Sequence, residues 1–590
     1  MNETTKNKTA ILAVTFLPAI CACSSGEDTQ VKSPNVILIL TDDQGYGDLG
    51  FTGNPIVKTP NIDQLATTGI HLTDFSVCPV SSPTRSSLMT GRESLRAGVS
   101  DTYNGMTTLS VDETTIVDVL KGGGYKTAIF GKWHLGDNFP CRPIDKGFDE
   151  ALVHCGGGMG QPGDFFNFPK GDSCYFDPIL WHNGVPVQTK GYCSDVFTDA
   201  AIDYIDKSSE PFFIYLAFNA PHDPLQLPQE YYDMYKDVEF KSDSTVINMA
   251  KMTDHNSDSA RRVYGMVTNI DDNIGRVMEA LKRKDIEDNT LIIFMTDNGP
   301  LTYRYNAQFR DFKSSVNQGG VRVPCILNFP SRLGSGTVGY PSAHLDMLPT
   351  IASICGVEVP TDLELNGENI LPKIEQRINE GHRTFFHHWV RRSPVLYHNI
   401  AVRDGYYKLI GNTTNKSESP VFELYDIKED PSELRNLIKE KPELAETLKD
   451  KLDSWYKDIV EEDYDKGALS TLGSKYENPV YLNRNDAKGQ EGIWLQENIY
   501  GYWDVDVVES GNYDITCYFI NPLETIGKLQ VQVGGVLVST INNEIGVSEL
   551  TIKDAYLAKG KAKFTPWYQS FQSRRYTNLL PLYVKIKKND

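Results

Sequence analysis

Short, mainly apolar runs that end in polar residues recur along the first half of the chain. They lie at 35–40, 127–130, 211–218 and 291–295, and each is followed closely by polar or charged residues. A continuous apolar run is typical of a central parallel strand buried on both faces, because a half-exposed strand would alternate apolar and polar positions. These runs therefore predict the buried strands of a parallel sheet.

Other stretches have the period of helices and hairpins. From Val263 to Leu281 apolar residues recur at spacings of three and four, which predicts an amphipathic helix. Further helices are expected to open at Thr59–Pro60 and to span about 442–459. Between 400 and 410, two short runs flank Asp404–Gly405, a dipeptide that favours the turn of a β-hairpin.

After Glu461 the pattern changes to short alternating runs separated by glycine-rich turns. Runs of this kind lie at 503–507, 513–518, 529–533 and 582–586, and they predict a β-sandwich of roughly 110–120 residues. Three aromatic residues of this part are candidates for stacking on a sugar, with core packing as the alternative for each: Trp494, Tyr502 and Trp567.

Length and charge narrow the choice of function. A chain of 590 residues exceeds one ordinary core, so two or more domains are expected. The formal net charge of −20 argues against non-specific binding of nucleic acid, which needs a basic surface. An anionic substrate would therefore have to be held by a local cluster of basic side chains.

The N-terminus has the features of an export signal. Lys6 and Lys8 precede an apolar run at 10–22, which is too short to predict a membrane span. The run ends in a segment that resembles a bacterial lipobox with Cys23 as the lipidated residue, so residues 1–23 are expected to be a lipoprotein signal peptide. An ordinary cleaved signal peptide is the alternative. Either kind of signal predicts an exported protein, and a lipid anchor would place it at the periplasmic or outer-membrane surface.

Export also makes a disulfide plausible among the cysteines at 141, 155, 174 and 193.

Two of the apolar runs end in oxygen-bearing side chains. Asp42 and Asp43 follow the first run, and Asp297 and Asn298 follow the fourth. Open α/β sheets place ligand sites at the carboxyl ends of their strands. Adjacent carboxylates repel unless a cation lies between them, and oxygen ligands suit Ca²⁺ or Mg²⁺. The sequence predicts a site for a hard cation here.

The stretch at 80–92 contains the most informative motif. Ser82 is expected to cap a short helix that Gly91 ends, with Ser81 at the anion-favouring N-terminus and Arg85 one turn in. Ser-x-Pro-x-Arg followed by Leu-x-Thr-Gly-Arg resembles the signature of the formylglycine-dependent sulfatases of the alkaline-phosphatase superfamily. The resemblance implies that Ser81 is oxidised to Cα-formylglycine, and a serine at this position implies the anaerobic sulfatase-maturating enzyme.

Further segments extend the resemblance over about residues 33–460. Gly131–Gly136 carries Lys132 and His134, Ala220–Pro224 carries His222, and Lys313 precedes Gln318–Pro324, where Gln318 replaces the glutamate of the family. The implied fold is α/β, with a mixed, mainly parallel sheet flanked by helices. The implied boundaries are a catalytic domain at 33–380, a small α+β subdomain at 381–460 and the appended β-sandwich at 470–590.

The resemblance also implies a reaction, the hydrolysis of a sulfate ester on a carbohydrate, with arylsulfatase-like and exo-acting chemistry. Ca²⁺, expected ahead of Mg²⁺, would bind Asp42, Asp43, Asp297, Asn298 and the modified Ser81. Arg85, Lys132 and Lys313 would neutralise the sulfuryl group. His222, alone or together with Lys313, would protonate the leaving alcohol and His134 would act as base, although the two histidine roles can be exchanged. The alternatives are a phosphomonoester or phosphodiester hydrolase of the same superfamily and a non-catalytic glycan-binding lipoprotein.

Contacts to the sugar are expected from long loops. Residues 137–195 are rich in glycine and aromatic residues, and loops of this kind often carry specificity. The candidate side chains in this segment are His154, Asp164, Asp177 and His182. A second group can border the pocket or form a solvated turn: His387, His388, Arg391, Arg392 and His398. His344 is expected to be structural.

Overall fold

The computed structural model describes residues 33–168, 171–249, 251–392, 394–414, 419–461, 467–572 and 578–589. The predicted signal segment and Cys23 lie outside these ranges. None of the helices in the described ranges has the length and hydropathy needed to cross a membrane. Residues 33–590 group into one compact unit, and the domain boundaries given above stay a prediction.

The largest sheet of the described chain has ten strands and is mixed. Its order across the sheet is Gly336–Val338, Ile70–Leu72, Cys325–Asn328, Thr290–Thr296, Asn35–Thr41, Phe212–Ala217, Lys126–Lys132, Glu150–His154, Ile179–His182 and Val185–Gln188. The five strands from Thr290–Thr296 to Glu150–His154 pair in parallel. The strands towards the two edges include the antiparallel pairs. The expected α/β fold with a mainly parallel central sheet is confirmed.

The central strand Asn35–Thr41 shows why the apolar runs are continuous. All seven residues are buried, and successive side chains point to opposite faces of the sheet. Val36 and Leu38 join the core on one face, whereas Ile37 and Ile39 join the core on the other. Burying each such side chain contributes roughly 1.5–3 kcal/mol, so both faces of the strand favour the fold.

Helices cover both faces of this sheet. One face packs against Ser81–Thr90, Ile116–Gly122 and Met347–Cys355, and the other packs against Pro60–Thr68, Cys193–Lys207 and Asp254–Arg283. Shorter helices lie at Gln229–Asp233, Gln318–Val321 and Leu371–Glu375, with 3₁₀ turns at Gly171–Ser173, Glu287–Asn289 and His344–Asp346. The predicted amphipathic helix is longer than its periodic core at 263–281, because Thr253 caps its start by accepting a hydrogen bond from the Asn256 backbone.

A smaller antiparallel sheet follows the main one. Its strands are Thr384–His388, His398–Asp404, Tyr407–Asn412 and Phe422–Asp426, and the helix Pro442–Glu461 packs on it. The predicted hairpin is present, with Asp404 ending one strand and Gly405 in the left-handed region at φ 60°.

The last part of the chain forms two packed, mainly antiparallel sheets. One contains Gly501–Val507, Gly560–Ser570, Gly527–Val533 and Val536–Asn542. Two short strands pair with Gly501–Val507: Ser470–Leu472 in parallel and Lys488–Gly489 antiparallel. The other contains Val480–Asn483, Tyr583–Lys588, Gly511–Tyr518 and Glu549–Leu557. Inward-facing residues of both sheets share one core. The alternating runs after Glu461 thus form a sandwich.

No disulfide joins the cysteines of the described ranges. These ranges contain eight cysteines, and seven of them are buried. The disulfide expected among residues 141–193 is therefore wrong for this structure. Cys141 donates a hydrogen bond to the Leu109 carbonyl (3.2 Å), and Cys193 packs in an apolar core, so these thiols have packing roles.

Candidate functional site

The ends of the parallel strands bring the predicted oxygen ligands together. Thr41 and Thr296 are paired in register on neighbouring parallel strands, so Asp42 and Asp297 leave the sheet side by side. The Asp43 backbone N–H donates to Asp297 Oδ1 (3.2 Å). Asn298 Nδ2 donates to Asp43 Oδ1 (2.8 Å). The four side chains predicted to bind a cation form one buried cluster.

Ser81 reaches this cluster from a helix that packs on one face of the main sheet. It is the first residue of the helix Ser81–Thr90, and its Oγ lies 3.1 Å from Asp42 Oδ1 and 3.2 Å from Asn298 Oδ1. Gly91 ends the helix at φ 66°, as predicted. The predicted cap is wrong: Val80 occupies the cap position, and Ser82 Oγ donates to the His134 carbonyl (3.0 Å). That bond fixes the start of the helix against the histidine segment.

Three cationic side chains neutralise the three carboxylates. The pairs are Arg85 Nη2–Asp297 Oδ2 (2.8 Å), Lys132 Nζ–Asp42 Oδ2 (2.5 Å) and Lys313 Nζ–Asp43 Oδ1 (2.6 Å). All six side chains are almost completely shielded from solvent. The cluster is thus close to neutral as it stands, so an added divalent cation would make it attract an anion.

Burial and mutual charge shift the ionisation of these groups. Burial opposes ionisation of Asp42, but Lys132, His222 and Arg85 hold the pKa of its carboxyl well below the ordinary value. Burial and the neighbouring Asp42 raise the pKa of Asp297 to about 6, with Arg85 acting in the other direction. Two carboxylates in one buried site cannot ionise equally easily. This electrostatic cost favours a cation between them.

The donor atoms fit a hard metal ion. Asp43 Oδ2 is buried and accepts no hydrogen bond from the described residues, and a buried carboxylate oxygen without a partner is costly. Ligand atoms of Asp42, Asp43 and His222 lie within 4.8 Å of one another. The remaining oxygens come from Asp297, Asn298 and Ser81, and an oxygen-rich set of this kind suits Ca²⁺ or Mg²⁺.

The two histidines differ in which ring nitrogen is free. His134 Nε2 bonds to the Thr102 carbonyl (2.9 Å) and therefore carries the proton, while Nδ1 has no partner among the described residues. Burial and Lys132 lower the pKa of His134 well below its ordinary value, so the ring is a neutral acceptor at Nδ1. His222 Nδ1 bonds to the Asp223 carbonyl (2.6 Å), and its Nε2 lies 3.7 Å from Asp43 Oδ2.

Two residues of the cluster have strained backbones. Asp43 and His134 have φ angles of 62° and 59°, in the left-handed region that non-glycine residues rarely adopt. Such conformations cost about 1–3 kcal/mol each and persist where the surrounding structure determines them. Here they direct a carboxylate and an imidazole into one site.

A cavity of ≈360 Å³ opens onto this cluster. Its wall includes the predicted residues Ser81, His134, His222 and Lys313. The wall also includes four residues that are partly or largely exposed and that we call the rim cluster: Tyr103, Trp389, Arg391 and Trp494. Of the three sandwich aromatics proposed to stack on sugar, Trp494 alone is in the wall of this cavity.

Most of the loop residues expected to touch a substrate lie elsewhere. His154 is buried in register with Lys132, Asp164 accepts hydrogen bonds from within its own loop, and His182 pairs with Glu150 at the sheet edge. Asp177 bonds to the Gly191 backbone. The long loop contributes Gly157 and Gln161 to the cavity instead. His344 is structural as expected, bonding to the Ser76 carbonyl and Cys78.

Part of the wall has no signal in the sequence. Thr102, Tyr103 and Trp389 belong to no motif, and they line the cavity because two distant segments meet there. Arg391 was one of five candidates, and nothing in its neighbourhood distinguished it from Arg392. Gln318 is buried, and its backbone N–H donates to Glu433 Oε2 (2.8 Å), so the departure from the family glutamate lies outside the cavity wall.

Comparison with known proteins gives consistent matches. The family model described as "Sulfatase" matches residues 34–357, and that described as "N-sulphoglucosamine sulphohydrolase, C-terminal" matches residues 309–458. The chain is similar to Arylsulfatase J of Mus musculus, with 31% identity over 58% of this chain and 56% of that protein. It is also similar to Arylsulfatase A of Bos taurus, with 30% identity over 70% of this chain and 85% of that protein.

One solved structure combines a substantial sequence match with a similar fold. It is described as Ps i-CgsB in complex with k-i-k-neocarrahexaose, and it is 29% identical to this chain. The superposition has a TM-score of 0.62 and covers 74% of this chain and 99% of that one. The similarity therefore extends over nearly the whole of that protein.

Proposed function

This chain belongs to the sulfatase family, the family of sulfuric ester hydrolases, and from that premise we propose that it releases sulfate from a sulfated carbohydrate. The observation that carries the proposal is the buried cluster in which Ser81 lies between an oxygen-rich cation site and three cationic side chains. A sulfate ester is a compact anion. In a chain whose net charge is −20, such an anion needs a local cluster of basic side chains, and this site contains one.

Two groups absent from the sequence itself complete the proposal. Cα-formylglycine formed from Ser81 would supply a hydrated aldehyde as nucleophile. Ca²⁺, or Mg²⁺ as the alternative, would polarise a sulfate oxygen and orient the nucleophile. Asp42, Asp43, Asp297, Asn298 and residue 81 would hold the cation, and the unpartnered Oδ2 of Asp43 supports this assignment.

The cationic side chains would bind and orient the sulfate group. Lys313 is in the cavity wall, and Asp43 raises the pKa of its ammonium against the effect of burial, which keeps it charged. Arg85 and Lys132 are fully buried and form ion pairs with Asp297 and Asp42. Charges that are fixed in a site closed to water stabilise the charge that develops in the transition state. This stabilisation is stronger than the same charges would give in solution.

The hydrogen bonds of the histidines favour one division of roles. His134 has a free lone pair at Nδ1 and a lowered pKa, which suits a base. His222 holds its Nδ1 proton against a carbonyl and presents Nε2 beside Asp43. We assign His222 as the group that carries the proton for the leaving alcohol.

Location and partners follow from the same proposal. A lipid anchor at Cys23 would place the enzyme at the periplasmic or outer-membrane surface, where external polymers are met. A serine at position 81 would require the anaerobic sulfatase-maturating enzyme. A carbohydrate substrate is supported by the aromatic side chains of the cavity wall and by the oligosaccharide named in the description of the similar structure.

The test compares matched sulfate and phosphate monoesters of one sugar, at several positions of the ring, with protein matured to formylglycine. Release of sulfate should be clearly faster, because the described residues offer one candidate site for a metal ion beside Ser81. Ser81→Ala should abolish it, whereas Ser87→Ala, a buried serine of the same helix, should not. A preference for the phosphate ester would favour the phosphoester hydrolase instead. No release from any glycan would favour the glycan-binding alternative.

A further inference from the structure

The rim cluster joins three distant segments of the chain beside the reactive site. Tyr103 comes from a loop of the first half, Trp389 and Arg391 follow the strand Thr384–His388, and Trp494 comes from the sandwich. The Arg391 guanidinium carbon lies 4.8 Å from the centre of the Tyr103 ring and 4.9 Å from that of Trp389. Trp494 contacts Tyr103 edge to face, with ring centres 5.5 Å apart.

Arg391 is held in place by one buried carboxylate. Its Nη1 donates to Asp101 Oδ1 (3.0 Å) and to Thr102 Oγ1 (2.9 Å), and Asp101 is fully buried. Asp101 also accepts from Trp389 Nε1 (3.2 Å) and from the Arg392 backbone (2.8 Å). A single acidic group thus fixes both the arginine and the tryptophan beside it.

Part of the guanidinium remains available. The Arg391 side chain is 47% exposed, and within the described ranges its recorded hydrogen bonds all use Nη1. Nε and Nη2 form the geometry that binds two oxygens of a sulfate or carboxylate at once. An arginine fixed by stacking and a salt bridge loses less conformational freedom when it binds such a group.

Thr102 connects this arginine to the reactive site. Its carbonyl accepts from His134 Nε2 (2.9 Å), and its hydroxyl accepts from Arg391. Arg391 and His134 therefore bond to one residue and line one cavity of ≈360 Å³. That volume is near the lower end of the ~300–1,000 Å³ of ligand sites. Ser81 and Arg391 both line it, so a ligand that fills the cavity contacts both residues.

We propose that the rim cluster is a subsite for a second anionic group on the same saccharide. The group is a sulfate ester or the carboxylate of a uronic acid, on the sugar ring attacked or on the ring next to it. Arg391 binds its oxygens, and Trp494 packs against the sugar. The proposal rests on the proposed function, and it makes the substrate a saccharide with at least two negative charges.

The competing explanation is that these residues only hold the sandwich against the catalytic part. Three ligands separate the two explanations: a hexose monosulfate, the same hexose carrying a second sulfate, and a hexuronic acid carrying one sulfate. Their dissociation constants are measured by calorimetry on the unmatured chain, in which Ser81 cannot react. The kcat/KM values are measured on the matured chain.

We expect the wild-type chain to bind at least one doubly charged ligand about tenfold more tightly than the monosulfate. Arg391→Gln should remove that preference and change monosulfate binding by less than about threefold. Arg392→Gln is the matched control, because it removes the same charge from the adjacent residue outside the cavity wall. Which doubly charged ligand is preferred identifies the second group.

The tryptophan has its own control. Trp494→Ala should weaken all three ligands by a similar factor, whereas Trp567→Ala, a half-exposed tryptophan elsewhere in the sandwich, should leave them unchanged. Equal binding of singly and doubly charged ligands by the wild-type chain would overturn the proposal. So would an equal loss for all ligands in Arg391→Gln. If matured protein released no sulfate, the proposed function would fail, while the calorimetric comparison would still decide the subsite.

Discussion

Replacing Arg85 with glutamine tests the cationic half of the site. Arg85 is fully buried, and it donates to Asp297 Oδ2 from Nη2 (2.8 Å) and from Nε (3.2 Å). Its Nη2 is also 3.8 Å from Asp42 Oδ2. The substitution removes one positive charge from a nearly neutral cluster and leaves Asp297 without its cationic partner.

Two free-energy effects follow and can be measured separately. Removing one partner of a buried ion pair costs about 3–5 kcal/mol of folding stability. Protonation of Asp297, whose pKa is already raised to about 6, lessens that cost. Losing one preorganised contact to the transition state costs about 2.7–4 kcal/mol, a fall in kcat of ~100–1,000-fold.

The assay is sulfate release, by ion chromatography, from the saccharide that the wild-type enzyme hydrolyses. Only the fraction that elutes as folded protein is used. Arg403→Gln is the matched control, because Arg403 forms a buried pair with Asp74 (2.7 Å) away from the cavity. Both variants should unfold at lower denaturant concentration, but Arg85→Gln alone should lose activity. If it kept more than about a tenth of the wild-type kcat/KM, the role assigned to Arg85 would be wrong.

Three further predictions concern the modification, the metal and a buried carboxyl group. Peptide mass spectrometry after expression with the maturating enzyme should show that residue 81 is lighter by two hydrogens and reacts with a hydrazide. An active enzyme with unmodified Ser81 would refute the predicted modification. Chelation should abolish turnover until Ca²⁺ is added, whereas added Ca²⁺ should not restore the turnover lost in Asp43→Asn, and the circular dichroism spectrum should stay unchanged in both cases. Normal rates in metal-free protein would refute the metal site. Burial raises the pKa of Glu477 to about 7 from 4.5, so the folded chain keeps a proton that the unfolded chain loses, and stability falls as pH rises through that window. Glu477→Gln should therefore raise the free energy of unfolding by up to ~3 kcal/mol at pH 8 and hardly at pH 4; equal effects at both pH values would refute it.

The sequence predicted the parts of the site whose residues directly follow a recognisable buried strand. Asp42 and Asp43 follow one apolar run and Asp297 follows another, and parallel strands bring their carboxyl ends to the same edge. Buried strands also have a simple composition, so the sheet and the hairpin at 398–412 were predicted correctly. The periodicity of Val263–Leu281 gave the helix but not the nine residues at 254–262 that begin it, because Thr253 sets that boundary through a local hydrogen bond.

Features that depend on long-range contacts were not predictable in the same way. Ser82 has the residue type of a helix cap, yet its hydroxyl bonds to the carbonyl of His134, which is 52 residues away. His154 and Asp164 lie in a loop of suitable composition, yet the direction of each side chain is set by tertiary packing. The disulfide failed for a similar reason, since proximity in sequence says little about whether two thiols face each other.

The sandwich shows most clearly why residue type alone did not define the substrate site. Asn485 Nδ2 donates to Thr107 Oγ1 (3.2 Å), and the Asn485 carbonyl accepts from the Gly105 backbone (3.1 Å). These bonds hold the loop that carries Tyr103, and the same loop bonds to His134 through Thr102. Because Trp494 completes the cavity wall beside this loop, the sandwich supports one side of the site that the catalytic part forms on the other. The role in specificity that we propose for the sandwich therefore rests on where it packs, and no motif in its sequence indicates that role.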